Sequence, residues 1–260
     1  MSPRVGFIAG TVRTGTTLLS RLIAEHSQCI SFREMHVSRI VNVSELNRHV
    51  RNALAAGLTH KEIKTLGCHL RLFEPSSIET WLKAAALAVQ DRYDRPLLDV
   101  VIEKDPELFL EAANLPWLLN HPTIYTVRNP RGILDAQDLS VGREWRERAL
   151  SEAISAFINI GPHLSNPSLL IVRYEDLVTH ARETMERVFE HLGVNTSDVN
   201  KLNQFSSLQY LVAQKKSMED VDSTRATAWI GNEELESIYS DASERIGRDN
   251  IRAYEDAFGY

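Results

Sequence analysis

The chain has 260 residues, a net charge of −6, and 43% hydrophobic against 25% charged residues. That balance describes a soluble globular protein with ample material for one core. Its mildly acidic character gives no general attraction to nucleic acid or anionic membrane, so any anion site has to be local. The two cysteines, Cys29 and Cys68, lack metal-ligand spacing, and so few of them suggest a reducing compartment. A strand begins almost at once, leaving no room for a signal peptide, and no apolar run approaches membrane-span length. The expectation is a cytoplasmic protein.

Val5 to Ala9 is a nearly continuous apolar run, as in a strand buried on both faces. Gly10-Thr11-Val12-Arg13-Thr14-Gly15 follows, and Leu18, Leu19, Leu22 and Ile23 then recur at helical spacing, predicting a helix over about Thr16 to His26. A strand, a glycine-bounded loop and a helix start make an anion site, where unpaired N–H groups and the positive helix end converge. The spacing resembles a nucleotide-binding P-loop, G-x-x-x-x-G-K-[ST], with Thr17 in the hydroxyl position but Thr16 where the lysine belongs. That lysine holds the outer phosphates of a triphosphate, so its absence argues against ATP or GTP chemistry. The cation has moved into the loop, to Arg13, whose planar fork suits an oxyanion.

Cys29-Ile30-Ser31-Phe32 reads as a second strand, leading to Arg33-Glu34-Met35-His36. Residues 37–95 carry helical stripes, Ile40, Val43, Leu46 and Val50 in one segment and Ile78, Trp81, Leu82, Ala85 and Val89 in another. They are read as a helical insertion, packed on the core and suited to gripping an acceptor. Leu97 to Ile102 is a third strand, ending at Glu103-Lys104-Asp105-Pro106, with a helix expected from Glu107 to about Leu119. Thr123 to Val127 is a fourth strand, after which Arg128-Asn129-Pro130-Arg131 opens another helix with proline in its first turn. A helix over Glu144–Leu164 precedes a fifth strand, Leu169 to Arg173, and Tyr174 starts a helical stretch running to Gly193. The alternation predicts one α/β domain over residues 1–260, a three-layer, doubly wound and mainly parallel five-stranded sheet.

In open α/β sheets ligands bind beyond the carboxyl ends of the strands. Arg13, Glu34, Lys104, Arg128 and Tyr174 follow strands one to five in turn. Any one of them could be a surface group or a helix cap. Five along one sheet edge point to a site.

Arg13-Thr14-Gly15-Thr16-Thr17 resembles the segment of the PAPS-dependent sulfotransferases that grips the 5′-phosphosulfate of the donor. Val127-Arg128-Asn129-Pro130-Arg131 resembles the family segment whose arginine binds the donor 3′-phosphate. The serine usual eight residues later is replaced by Ala136, and Ser140, one turn on, either substitutes for it or is merely exposed. Arg173-Tyr174-Glu175-Asp176-Leu177 resembles the family's R/K-Y-E-D-L segment, where the tyrosine lies near the nucleotide. Ser223-Thr224-Arg225-Ala226-Thr227-Ala228-Trp229 resembles its basic loop ending in tryptophan, which implies nucleotide contacts for Arg225, Thr227 and Trp229. The pattern is most similar to the tyrosylprotein sulfotransferases: Arg13 to Leu18, Ala24-Glu25-His26, Glu34 at the matching distance, Lys104-Asp105-Pro106, and Thr227-Ala228-Trp229-Ile230-Gly231 all have counterparts there.

The resemblance implies transfer of a sulfuryl group from PAPS to a hydroxyl or amine of a small molecule, as in a biosynthetic pathway, with release of PAP. It makes Glu34 the general base and Arg13 and Lys104 the cations that stabilise the transferring group and leaving oxygen. Residues 14–18 hold the 5′-phosphate through N–H groups and the hydroxyls of Thr16 and Thr17. His36 is the second choice for base, because two nearby cations lower a carboxylate pKa and weaken it. No metal is needed when Arg13, Lys104 and Arg128 neutralise the donor. No nucleic-acid or membrane partner is expected, and the protein is a monomer or homodimer. A P-loop kinase using ATP and a non-catalytic nucleotide-binding protein are the competing readings, the second favoured by Ala136.

Overall fold

A computed structural model describes residues 2–35, 43–67, 75–110, 115–135, 143–197, 199 and 230–260. Its sheet has five parallel strands in the order β2-β3-β1-β4-β5. These are β1 (Arg4–Ala9), β2 (Cys29–Arg33), β3 (Val100–Lys104), β4 (Thr123–Val127) and β5 (Leu169–Arg173). β1 is central and buried from Val5 onward, as its unbroken apolar run requires.

Helices cover both faces. On one, α1 (Thr16–Ala24) and α9 (Ala181–Leu192) pack Leu19, Leu22, Ile23, Val188 and Phe189 against Ile8, Val100, Ile102, Ile124 and Val172. On the other lie α4 (Pro75–Val89), α7 (Arg143–Ile160) and α11 (Arg248–Phe258), which pack with Val5, Phe7, Val101 and Tyr125. Strand alternation divides the two cores: Ile8 faces α1, and Phe7 faces α4. The expected three-layer α/β sandwich is therefore what forms.

The remaining helices are α2 (Val43–Ala55), α3 (His60–Gly67), α5 (Leu115–Leu118), α6 (Pro130–Asp135), α8 (Tyr174–Thr179) and α10 (Glu233–Ile246). The α4 stripe is core, with Trp81, Leu82, Ala85 and Val89 fully buried. No described helix is long and apolar enough to cross a membrane.

Three sequence expectations shift. The third strand begins at Val100, not Leu97, and runs through Glu103 and Lys104. Leu97 is 70% exposed, and the main chain of Asp99 already serves as an end-cap, its N–H donating to Gln28 and its carbonyl accepting from Arg4. Where a helix was expected from Glu107, there is a 3₁₀ turn at Leu108–Leu110 and the short α5. The stretch from Tyr174 to Gly193 breaks at His180 into α8 and α9, and Gly193 closes α9 with a left-handed φ of 63°.

Candidate functional site

The loop after β1 is built around hydroxyls. Thr14 Oγ1 donates to the Thr11 carbonyl at 2.8 Å, accepts from Thr11 N–H at 3.2 Å and bonds Thr126 Oγ1 of β4 at 2.8 Å. Gly10 lies so close that a Cβ there would stand 2.3 Å from Thr126 Oγ1, so only glycine fits. Thr14 is thus a loop brace, with both its hydroxyl and its N–H engaged on Thr11. Arg13, exposed, and Gly15 both take left-handed conformations, with φ of 72° and 96°. For arginine that strain is of order 1–3 kcal/mol and needs support from its surroundings. α1 then starts at Thr16, leaving the N–H groups of Thr16, Thr17 and Leu18 without acceptors inside the helix.

The support comes from β4 and β5. Arg128, which is 6% exposed, donates from Nη1 to the Arg13 carbonyl at 3.2 Å. Its guanidinium lies over the Tyr174 ring, 4.0 Å from the centroid, a cation–π contact. Tyr174 in turn packs on Gly15, where a Cβ would be 2.8 Å from its Cδ2. Burial lowers the Arg128 pKa, opposed by Tyr174 and Glu175, yet guanidinium stays charged at any working pH. Asn129 caps α6 by accepting from Arg131 N–H at 2.9 Å, with Pro130 as the first helical residue.

One side of this cluster lies the second group. Lys104 ends β3, in register with Ile8 of β1 and Arg33 of β2, about 4.8 Å from each strand. Its ammonium is paired with the Glu34 carboxylate. Burial lowers the Lys104 pKa, and Glu34 pulls the other way. Glu34 is itself left-handed, with φ of 52°. Its N–H donates to the Lys104 carbonyl at 2.7 Å, its carbonyl accepts from Asn52 of α2, and the next carbonyl, of Met35, bonds His49 Nδ1 at 2.8 Å. His49 stands edge-on to Trp81 of α4, 4.7 Å between centroids.

Of the residues singled out from sequence, Arg13, Gly15, Arg128 and Tyr174 form one connected cluster, and Glu34 and Lys104 form an ion pair on the adjoining strand ends. Thr16 is buried, and Thr17 and Leu18 are partly so at the start of α1. His36, Ala136, Ser140, Arg225, Thr227 and Trp229 lie outside the described residues. Sequence reasoning missed Asn52 and His49, which sit on a helix with no motif to mark them. It also missed what Glu175 does: its Oε1 accepts from Asn129 N–H at 3.0 Å. Among the described residues no cluster of His, Cys, Asp or Glu is arranged to hold a metal ion.

Residues 6–198 match the profile of the sulfotransferase family. The chain belongs to that family. Two solved structures share its fold. The sulfotransferase domain of the Synechococcus PCC 7002 olefin synthase is 21% identical, with 94% of each chain covered and a TM-score of 0.60. The sulfotransferase domain from the curacin biosynthetic pathway is 19% identical, with 93% of this chain and 98% of that one covered and a TM-score of 0.58. No curated protein gives a significant match. The family membership carries sulfuryl transfer as the general chemistry of this sulfotransferase.

Proposed function

We propose that the donor is PAPS and that the acceptor is a hydroxyl or amine on a small molecule. The observation carrying this reading is the joining of the two anion-binding segments: Arg128 reaches from β4 to the carbonyl of Arg13 in the first loop. A nucleotide with phosphates at both its 5′ and 3′ positions is the ligand that needs both. The 5′-phosphosulfate is assigned to the Thr16, Thr17 and Leu18 N–H groups, the two threonine hydroxyls and Arg13, and the 3′-phosphate to Arg128. Tyr174 backs the nucleotide side. Arg225, Thr227, Trp229 and Ser140 are proposed to complete the donor site.

Glu34 is the proposed base. Its side chain is 35% exposed, within reach of an acceptor, whereas Lys104 is 2% exposed. In the transfer the acceptor oxygen or nitrogen attacks sulfur, its proton passes to Glu34, and the bond from sulfur to the bridging phosphate oxygen breaks. Lys104 and Arg13 stabilise the charge developing on that oxygen, strongly for Lys104 because it sits away from water. PAP leaves with the negative charge. We place the protein in the cytoplasm as a monomer or homodimer.

Thermal-shift measurements with PAP and with ATP·Mg²⁺ test the donor. PAP should raise the melting temperature. ATP·Mg²⁺ should do so weakly or not at all, for want of the P-loop lysine. Equal or greater stabilisation by ATP·Mg²⁺ would overturn the reading in favour of a P-loop kinase.

A further inference from the structure

Residues 230–260 lie beyond the segment that matches the family profile. Even so, α11 reaches the donor side of the site through the backbone of Arg128. Tyr254 Oη accepts from Arg128 N–H at 3.2 Å and donates to the Arg128 carbonyl at 3.0 Å. A single hydroxyl therefore satisfies both main-chain polar groups of Arg128. They need such a partner, because β4 ends at Val127 and the ladder with β5 stops there.

Tyr254 is well placed to hold that position. It is fully buried, and its ring meets Phe258 at 4.9 Å, Phe157 at 5.5 Å and Tyr260, stacked, at 6.3 Å. Burial pushes its pKa above the ordinary phenol value, so it keeps its proton and remains a donor.

The next residues of the same loop are tied to the same segment. Glu175 accepts from Asn129 N–H with one oxygen and, with the other, from Tyr260 Oη at 2.8 Å. Tyr260 is held in turn beneath the Arg173 guanidinium, 4.6 Å away. Arg131 pairs with Glu236 at 2.7 Å and Glu255 at 3.4 Å, and covers the Tyr239 ring at 3.8 Å. The three residues with an N–H in the Arg128–Arg131 turn are thus all fastened, directly or through Glu175, to residues 236–260.

We propose that Tyr254 is a positioning residue of the donor site. It fixes the Arg128 main chain so that the guanidinium is aimed in advance at the 3′-phosphate. The inference rests on the PAPS reading above. The aim of an arginine fork is set by its backbone, and a bidentate phosphate contact tolerates little displacement. Pre-set geometry also spares the ordering that binding would otherwise require.

A tyrosine that merely filled the core would, on losing its hydroxyl, weaken every nucleotide alike. The test is therefore a ratio. Affinities for PAP and for AMP, which lacks the 3′-phosphate, are measured by calorimetry on wild type and on Tyr254→Phe. The variant should bind PAP about 5–30-fold more weakly while AMP changes by less than about twofold, narrowing the PAP-to-AMP preference by the factor that one or two kcal/mol represents. An unchanged preference in the folded variant would overturn the proposal. Wild type showing no preference for PAP over AMP would instead overturn the donor reading. If Tyr254→Phe does not fold, Tyr260→Phe removes the more peripheral hydroxyl, which bonds Glu175 and Arg173. It should narrow the preference in the same direction, and no narrowing would count against the proposal equally.

Discussion

Lys104 and Glu34 form an ion pair whose members differ sharply in access, the ammonium 2% exposed and the carboxylate 35% exposed. The cation belongs to the interior, and the carboxylate, the proposed base, lies on the more accessible side. Each neutralises the other. On the mechanism proposed above, donor binding would supply Lys104 with a second anion and loosen its hold on Glu34, freeing the carboxylate to act as base when there is a sulfuryl group to transfer.

Glu34→Gln tests this division of labour. The amide keeps a hydrogen-bond acceptor for Lys104 but cannot take a proton, so turnover should fall by roughly 10²–10⁴-fold. PAP affinity should change little. Turnover and PAP binding measured on this one variant check the assignment, and near-normal turnover would remove Glu34 from the mechanism and turn attention to His36.

Arg128→Ala should weaken PAP by on the order of 1.5–3 kcal/mol, the loss of a charged hydrogen bond. It also removes the donor that supports the strained Arg13 carbonyl. Isothermal calorimetry with PAP measures the loss, and unchanged affinity would mean that the 3′-phosphate lies elsewhere.

Gly15→Ala probes the loop itself. The residue has φ of 96°, and a Cβ would stand 2.8 Å from the Tyr174 ring. The substitution should destabilise the fold by at least about 1 kcal/mol, seen as a lower urea midpoint, and weaken PAP together with it. A variant with wild-type stability and binding would contradict the packing of loop on tyrosine.

Glu25, half-buried at the end of α1, gives a pH prediction. Burial, opposed by Arg95, pushes its pKa from 4.5 up to about 7. The folded state thus prefers the neutral carboxyl, and the stability this contributes is full below pH 4.5 and lost as pH rises through about 7. Glu25→Gln stays neutral throughout. It should melt above wild type near pH 8 and close to it near pH 4.5, so thermal melts at the two pH values show the difference opening.

Much of this was legible in the sequence because the signals were local. The fourth and fifth strands coincide with their apolar runs, and Arg128 and Tyr174 stand where those runs end. β3 was harder to bound. Glu103 and Lys104 look like loop residues, yet both are buried within the strand, because the neighbouring strands carry the ladder on and Glu34 offers a counter-charge. Asn52, His49 and Tyr254 left no trace, since what they do depends on main-chain groups far away in sequence. A hydrogen bond from residue 254 to residue 128 has no periodicity to betray it.

The hydroxyl pair of Thr14 and Thr126 has a kinetic consequence. It ties the first loop to β4 with protein groups alone, so the loop would already have its shape when the proposed nucleotide arrives. Association then needs no folding of the loop and should proceed at similar rates for nucleotides of similar charge. Differences in affinity among them would lie in how long each one stays. Stopped-flow traces for such nucleotides should accordingly share their binding phase and separate in their release.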